Sequence, residues 1–90
     1  MGGEQSGWYV YILECGDGTL YTGVARDPEQ RLRLHQAGKG ARYTRGRLPL
    51  RLCYSEPQQG QGAALRRELA IKKLSRSCKL QLIAAQSAWR

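Results

Sequence analysis

The stretch whose reading decides the fold is Trp8 to His35, WYVYILECGDGTLYTGVARDPEQRLRLH. Trp8 to Glu14 concentrates aromatic and β-branched residues, which pack well on a pleated surface and so predict a strand. Cys15-Gly16-Asp17-Gly18 interrupts it with an Asp-Gly pair, a strong hairpin signal because glycine accepts the positive φ of a tight turn. Thr19 to Val24 supplies the returning strand. Asp27-Pro28-Glu29-Gln30 then has the form of a helix start, with Asp27 placed to accept orphan N–H groups, proline in the first turn and Gln30 at capping-box spacing. Gly38 supplies the stop. Arg31 and His35, four residues apart, share one face of that helix, and the chain order turns this face toward the hairpin.

The hairpin contains a test of register. A two-residue Asp17-Gly18 turn would put Tyr11 and Tyr21 on opposite faces of the sheet, because strand side chains alternate with period two. If both hydroxyls serve one site, the loop has an odd length, built on Gly16 to Gly18 and carrying a bulge.

Outside this stretch the composition narrows the class. Ninety residues make one domain, and a chain of this length buries only about two-thirds of its extended surface on folding, so its core is small. We expect a polar tail over residues 1–7, a single domain over 8–86 and a C-terminal tail over 87–90. The expected architecture is a small α/β (α+β) domain, a three-stranded antiparallel sheet flanked by three helices. Fifteen Lys and Arg against seven Asp and Glu give a net charge of +8, which favours a polyanionic partner, nucleic acid first and an anionic membrane second. Cys15, Cys53 and Cys78 are odd in number and form no C-x-x-C pair, so reduced thiols and a cytoplasmic, nucleoid-accessible protein are expected. The apolar run Trp8 to Leu13 is far too short to span a membrane. Gly2 and Ser6 match the short N-myristoylation pattern, which matters only in a host that has the enzyme.

Lys39, Arg42, Arg45, Arg47 and Arg51 accumulate with no acid among them, in a segment punctuated by glycine and proline. They are candidate phosphate contacts, with Tyr43 available to stack on a base; the alternative is a solvated loop. Leu50 to Ser55 alternates apolar Leu50, Leu52 and Tyr54 with other residues and predicts a third strand with one apolar face. Glu56 to Gly62 reads as a polar loop. Ala63 to Leu74 predicts a second helix, in which Glu68 lies on a stripe with Ala64, Leu65, Ile71 and Lys72. A carboxylate there needs a partner, either a hard metal ion such as Mg²⁺ or a base such as Lys72. Ser75 and Ser77 offer caps for a third helix with Leu80, Ile83 and Ala84 on its apolar stripe.

Tyr9-Val10-Tyr11, ten residues before Tyr21-Thr22-Gly23 and followed by Arg31 on a short helix, resembles the GIY-YIG nuclease module. Lys39-Gly40-Ala41-Arg42-Tyr43-Thr44 and Ala64-Leu65-Arg66-Arg67-Glu68, with Lys72 beyond, resemble the small stand-alone members of that superfamily and the nuclease domain of the eukaryotic branched-DNA endonuclease. The likeness extends from Trp8 to Leu82. It departs from the pattern at Tyr9, where the first motif has glycine, at Thr22, which replaces isoleucine, and at Val24, often lysine in the excision-repair branch.

The resemblance implies a metal-dependent endonuclease that hydrolyses phosphodiesters in DNA, structure-selective or weakly selective, in repair or recombination. It implies catalytic roles for Tyr11, Tyr21, Arg31 and Glu68, while a supporting catalytic role for His35 rests on the face it shares with Arg31, the alternative being a helix-face residue that packs on Trp8 or Tyr21. Tyr11, aided by Tyr21 or His35, would orient or deprotonate water, Arg31 would hold phosphoryl oxygens, and Glu68 would hold one Mg²⁺ or Mn²⁺. Nucleic-acid contacts would come from Lys39, Arg42, Tyr43, Arg45, Arg47 and Lys72. No small-molecule cofactor and no membrane are expected, and a protein partner that directs substrate choice is left open. Another class remains in view: a catalytically silent module that binds branched DNA or structured RNA through the same basic surface.

Overall fold

In the computed structural model, which describes residues 7–87, the chain runs through β1 (Trp8–Glu14), β2 (Leu20–Ala25), α1 (Pro28–Gln36), a 3₁₀ turn (Arg42–Thr44), β3 (Arg51–Gln58), α2 (Gln61–Lys72) and α3 (Arg76–Ser87). The expected domain of three antiparallel strands and three helices is present, with sheet order β2-β1-β3 and β1 in the centre. The Gly2–Ser6 pattern and most of the two expected tails lie outside the described residues, while Ser87 is the last residue of α3.

The hairpin settles the register. Cys15 N–H donates to Thr19 O at 2.8 Å, and Gly18 N–H donates back to Cys15 O at 2.9 Å with Gly18 at φ 86°. This leaves the three-residue loop Gly16-Asp17-Gly18, closed by a glycine in the left-handed region, the arrangement of a turn followed by a bulge. Tyr11 therefore opposes Gly23 and Leu13 opposes Tyr21, so both tyrosines lie on one face. Asp27 Oδ1 accepts Gln30 N–H at 3.1 Å with Pro28 in the first turn. At the other end of α1, Gly38 at φ 77° donates to His35 O and Lys39 donates to Leu34 O, a Schellman motif.

The helices cover both faces of the sheet. On one face Val10, Ile12, Tyr54, Ala64 and Ile71 are buried, with Leu74, Leu82 and Ile83 packed against them from α2 and α3. On the other, Tyr11, Leu13, Cys15, Ala25 and Leu50 are buried against Leu32 of α1. Each fully buried aliphatic side chain here contributes about 1.5–3 kcal/mol.

Three sequence expectations are corrected. Leu52 and Tyr54 do not share a face, because a register shift between Ile12 and Leu13 pairs Ile12 with Tyr54 but Leu13 with Leu52, leaving Cys53 as the extra residue of a bulge. Glu56 to Gln58 is strand, not loop. Arg67 and Tyr54 hold the Glu56 carboxylate, and Pro57 is tolerated because β3 lies at the sheet edge. The α3 stripe faces the core through Leu82 and Ile83, whereas Leu80 is exposed.

The outer edge of β3 has its own protection. The Gln86 side-chain amide accepts from Ser55 N–H at 3.2 Å and donates to Ser55 O at 2.6 Å, as a neighbouring strand's peptide group would. Gln86→Ala is expected to destabilise the fold by about 1 kcal/mol, a Tm decrease of roughly 4–8 °C for a domain of this size. An unchanged melting curve in calorimetry would show that water replaces the amide at no cost.

Candidate active site

Tyr11 reaches across the neighbouring strand. A Cβ at Gly23, its partner in β2, would lie 2.7 Å from Tyr11 Oη and 2.8 Å from Cζ. A side chain at position 23 would force the Tyr11 ring to move, so the glycine two residues after Tyr21 is what lets that ring lie over β2 as it does. The two tyrosine rings are 6.4 Å apart between centroids, and Tyr21 meets the His35 ring edge-on at 5.3 Å. Val24, by strand alternation, faces the opposite side of the sheet and packs with the Val10–Ile12 cluster.

His35 is fully buried and makes contacts through both ring nitrogens. Nε2 lies 3.0 Å from Tyr11 Oη. Nδ1 receives the Ala41 backbone N–H at 3.0 Å, and Thr44 Oγ1 lies 3.1 Å from the same nitrogen while donating to Ala41 O at 2.8 Å. A backbone amide can only donate, so Nδ1 is the acceptor and the neutral ring carries its proton on Nε2. Nε2–H therefore donates to Tyr11 Oη. The close approach of the Ala41 amide depends on Gly40, where a Cβ would sit 2.1 Å from His35 Nδ1. Burial holds the imidazole pKa below its usual 6.5, and the neighbouring Arg31 charge lowers it further.

These contacts decide how the tyrosine can act. Because Tyr11 Oη accepts from His35, its own hydroxyl proton is directed away from the histidine. Burial and then the proximity of Tyr21 push the Tyr11 pKa up to about 12, with Arg31 opposing and Glu68 adding to the rise. Tyr21 is also raised, chiefly by burial, with Lys72 and Arg31 pulling it down and Glu68 pushing it up. The structure thus brings Tyr11, Tyr21, Arg31 and His35 together, with Glu68 and Lys72 of α2 in electrostatic reach.

Glu68 Oε2 pairs with Lys72 Nζ at 3.1 Å one helical turn on, its side chain 16% exposed and the lysine's 49%. With the lysine half-exposed, a pair of this spacing is worth only a few tenths of a kcal/mol, so Lys72 can leave it, whereas the largely buried carboxylate still needs a partner. Among the described residues no three His, Cys, Asp or Glu side chains gather as a metal cage.

The basic loop is not uniform. Lys39, Arg42 and Arg45 are exposed. Arg47 is bound into the structure: Nε lies 3.1 Å from Asp17 Oδ2, Nη1 donates to Tyr43 O at 3.0 Å, and the guanidinium sits 4.1 Å from the Tyr43 ring centroid. It fastens the hairpin loop to Tyr43 and covers one face of that ring, while Tyr21 runs nearly parallel to it at 6.0 Å. Charge alone points this segment toward phosphate and leaves the support that Gly40, Ala41 and Thr44 give His35 unmarked. The available signal was a small-residue pair and one threonine inside an otherwise basic run.

Nitrogen NMR is expected to show His35 neutral at pH 7, protonated on Nε2 only, and titrating below pH 6.5. An Nδ1–H tautomer would overturn the assignment. Because the folded state resists protonation more than the unfolded chain, the stability due to this neutral ring is complete above about pH 6.5 and declines as pH falls below it.

With this geometry in hand, comparison with known proteins places the chain. It matches the GIY-YIG catalytic domain over residues 7–81. It is 53% identical over 75 residues to a UPF0213 protein of Streptococcus sanguinis, covering 83% of this chain and 86% of that one. A UPF0213 protein of Natronomonas pharaonis is 48% identical over 79 residues, with coverage of 88% and 93%. The solution structure of a UPF0213 protein from Bacillus halodurans superposes with a TM-score of 0.56 at 47% identity, covering 87% of this chain and 83% of that one. That of an E. faecalis protein superposes with a TM-score of 0.60 at 38% identity, covering 89% and 85%. The tyrosine pair crossing at a glycine, the arginine helix and the match over nearly the whole domain lead to one conclusion: the chain belongs to the GIY-YIG catalytic domain family, among its small UPF0213 relatives.

Proposed function

We propose that the protein is a divalent-metal-dependent DNA endonuclease, structure-selective or weakly selective, that serves repair or recombination in the cytoplasm with access to the nucleoid. The observation that supports this most is the convergence of Tyr11, Tyr21 and His35 beside Arg31, with the Glu68 carboxylate in reach, in a strongly basic chain. Among the described residues no helix is long and apolar enough to cross a membrane.

Hydrolysis requires an aligned water, charge stabilisation at phosphorus and help for the leaving oxygen. Arg31 presents planar donors to the phosphoryl oxygens, where negative charge grows. Tyr11, locked by the His35 Nε2–H, offers the cleft its own proton and its remaining lone pair, so it orients the attacking water. With its pKa pushed up to about 12 the phenol is neutral near pH 7. It therefore acts as a positioning hydroxyl; to accept the water's proton it must first release its own to solvent, a loss that nearby positive charge such as Arg31 favours. Tyr21 supplies a second hydroxyl beside it. Glu68 suits Mg²⁺ or Mn²⁺, since such ions are often held by one carboxylate with water and phosphate oxygens completing their coordination. When bound, the ion supplies positive charge for the phosphoryl group and the leaving oxygen.

End-labelled duplex, flap and branched DNA, incubated with the full chain in Mg²⁺ or Mn²⁺, tests this directly. The wild type is expected to cut, chelation to abolish cutting, and Arg31→Ala and Glu68→Gln each to slow it by about 10²–10³-fold while circular dichroism stays unchanged. If the folded variants cut as fast as the wild type, the assigned roles are wrong. If all bind DNA and none cuts, the reading as a silent binding module replaces this one.

A further inference from the structure

Beside the tyrosines, at the free edge of β2, lies a recess of about 320 Å³ lined by Leu20, Tyr21, Thr22, Tyr43, Lys72 and Lys79. Its lining combines apolar and aromatic side chains with two lysines. Tyr21 belongs to both spaces, since its ring lines the recess and also contacts Tyr11 and His35. Lys79 comes from α3 and has no part in the reading above. The four ion pairs among the described residues engage Arg47, Arg51, Arg67 and Lys72, so Lys79 brings its positive charge to the recess without a carboxylate partner there.

We propose that this recess is a nucleotide subsite that holds one unpaired deoxynucleotide next to the scissile phosphate, its base against Tyr21 and Tyr43 and its phosphate on Lys79 and Lys72. The inference rests on the nuclease reading for its position relative to the cut, and it narrows the substrate to DNA that is single-stranded at that point.

Four observations carry it. The Tyr43 and Tyr21 rings are nearly parallel, 22° apart with centroids 6.0 Å apart, and both residues line the recess. Arg47 fixes Tyr43 from one face, so the ring is held in place for a base instead of having to be ordered by it. Stacking on such side chains requires a base released from its duplex neighbours. A recess near the lower end of the range for small-ligand sites, roughly 300–1,000 Å³, has room for a base. Lys72 is tied only by its half-exposed pair with Glu68, so a phosphate can draw it away.

The test measures binding of a short fluorescein-labelled oligo-dT and of a matched duplex by anisotropy across a salt series, without divalent ions so that nothing is cut. The full chain is compared with Lys79→Gln, Lys79→Arg and Arg33→Gln, the last on the exposed side of α1. The single strand is expected to bind more tightly than the duplex. Lys79→Gln should weaken it by about fivefold to tenfold and lower the slope of log K against log salt by about 0.7, the value for one phosphate contact on a single strand. Lys79→Arg should restore both, and Arg33→Gln should change neither. If Lys79→Gln binds as the wild type does, or if the duplex is preferred, the subsite is overturned and the nuclease reading stands. If the wild type binds neither DNA, both readings fall.

Discussion

The hydrogen bond from the Ala41 amide to His35 Nδ1 joins the loop after α1 to the buried end of the imidazole, and through Nε2 to Tyr11 on the central strand. Much of the local structure exists to make it. Gly38 ends α1 in a left-handed turn that brings the chain back toward its own last residues, Gly40 removes the side chain that would collide with the ring, and Thr44 ties the Ala41 carbonyl from below. A buried imidazole held this way cannot gain a second proton without breaking an amide contact in a site that already carries Arg31. The histidine therefore works as a fixed donor that sets the direction of the Tyr11 hydroxyl, and it has no free nitrogen with which to take that proton.

The same end is served from the opposite side by the hairpin. One residue more or fewer between the strands would send Tyr21 to the face occupied by Ile71 and Ala64, because strand side chains alternate. The three-residue loop holds the register, and Arg47 then links that loop, through Asp17, to Tyr43. A loop that looks like a supply of phosphate-binding charge thus spends one of its cations on structure. The neighbouring Gly16 serves the same junction: its amide donates to Arg47 O, and a side chain there would strike the Leu48 carbonyl.

What the sequence made legible follows the range of each interaction. Asp27, Pro28 and Gly38 act within one turn of the chain, so the ends of α1 could be read directly from them. The shared face of Tyr11 and Tyr21 was reachable by parity, given the assumption that both hydroxyls serve one site. The bulge at Cys53 was not, since it depends on how β3 meets β1 across some forty residues, and no local residue marks it. Glu56 misled for a related reason. Its polarity suggested solvent, but Arg67, eleven residues away, neutralises it and lets the strand continue. The supports of His35 were hidden because two of them, the Ala41 N–H and the space at Gly40, are backbone properties that side-chain chemistry does not advertise. Roles for the catalytic tyrosines, Arg31 and Glu68 rest on resemblance, those of the basic loop on its unbalanced charge, and the fold adds the juxtaposition of Tyr11, Tyr21, Arg31 and His35.

Charge is distributed in keeping with that juxtaposition. Arg51 and Arg67 pair with Glu14 and Glu56 on β1 and β3, away from the tyrosines, and so contribute to the sheet rather than to a ligand surface. Exposed Lys39, Arg42 and Arg45 on the loop form one bank of cations, and Lys72 and Lys79 at the recess form a second. A polyanion would be drawn to both. Its attraction to each bank is long-ranged and indifferent to sequence, so affinity would come from charge, and discrimination among substrates would fall to whatever can enter the narrow space at the β2 edge.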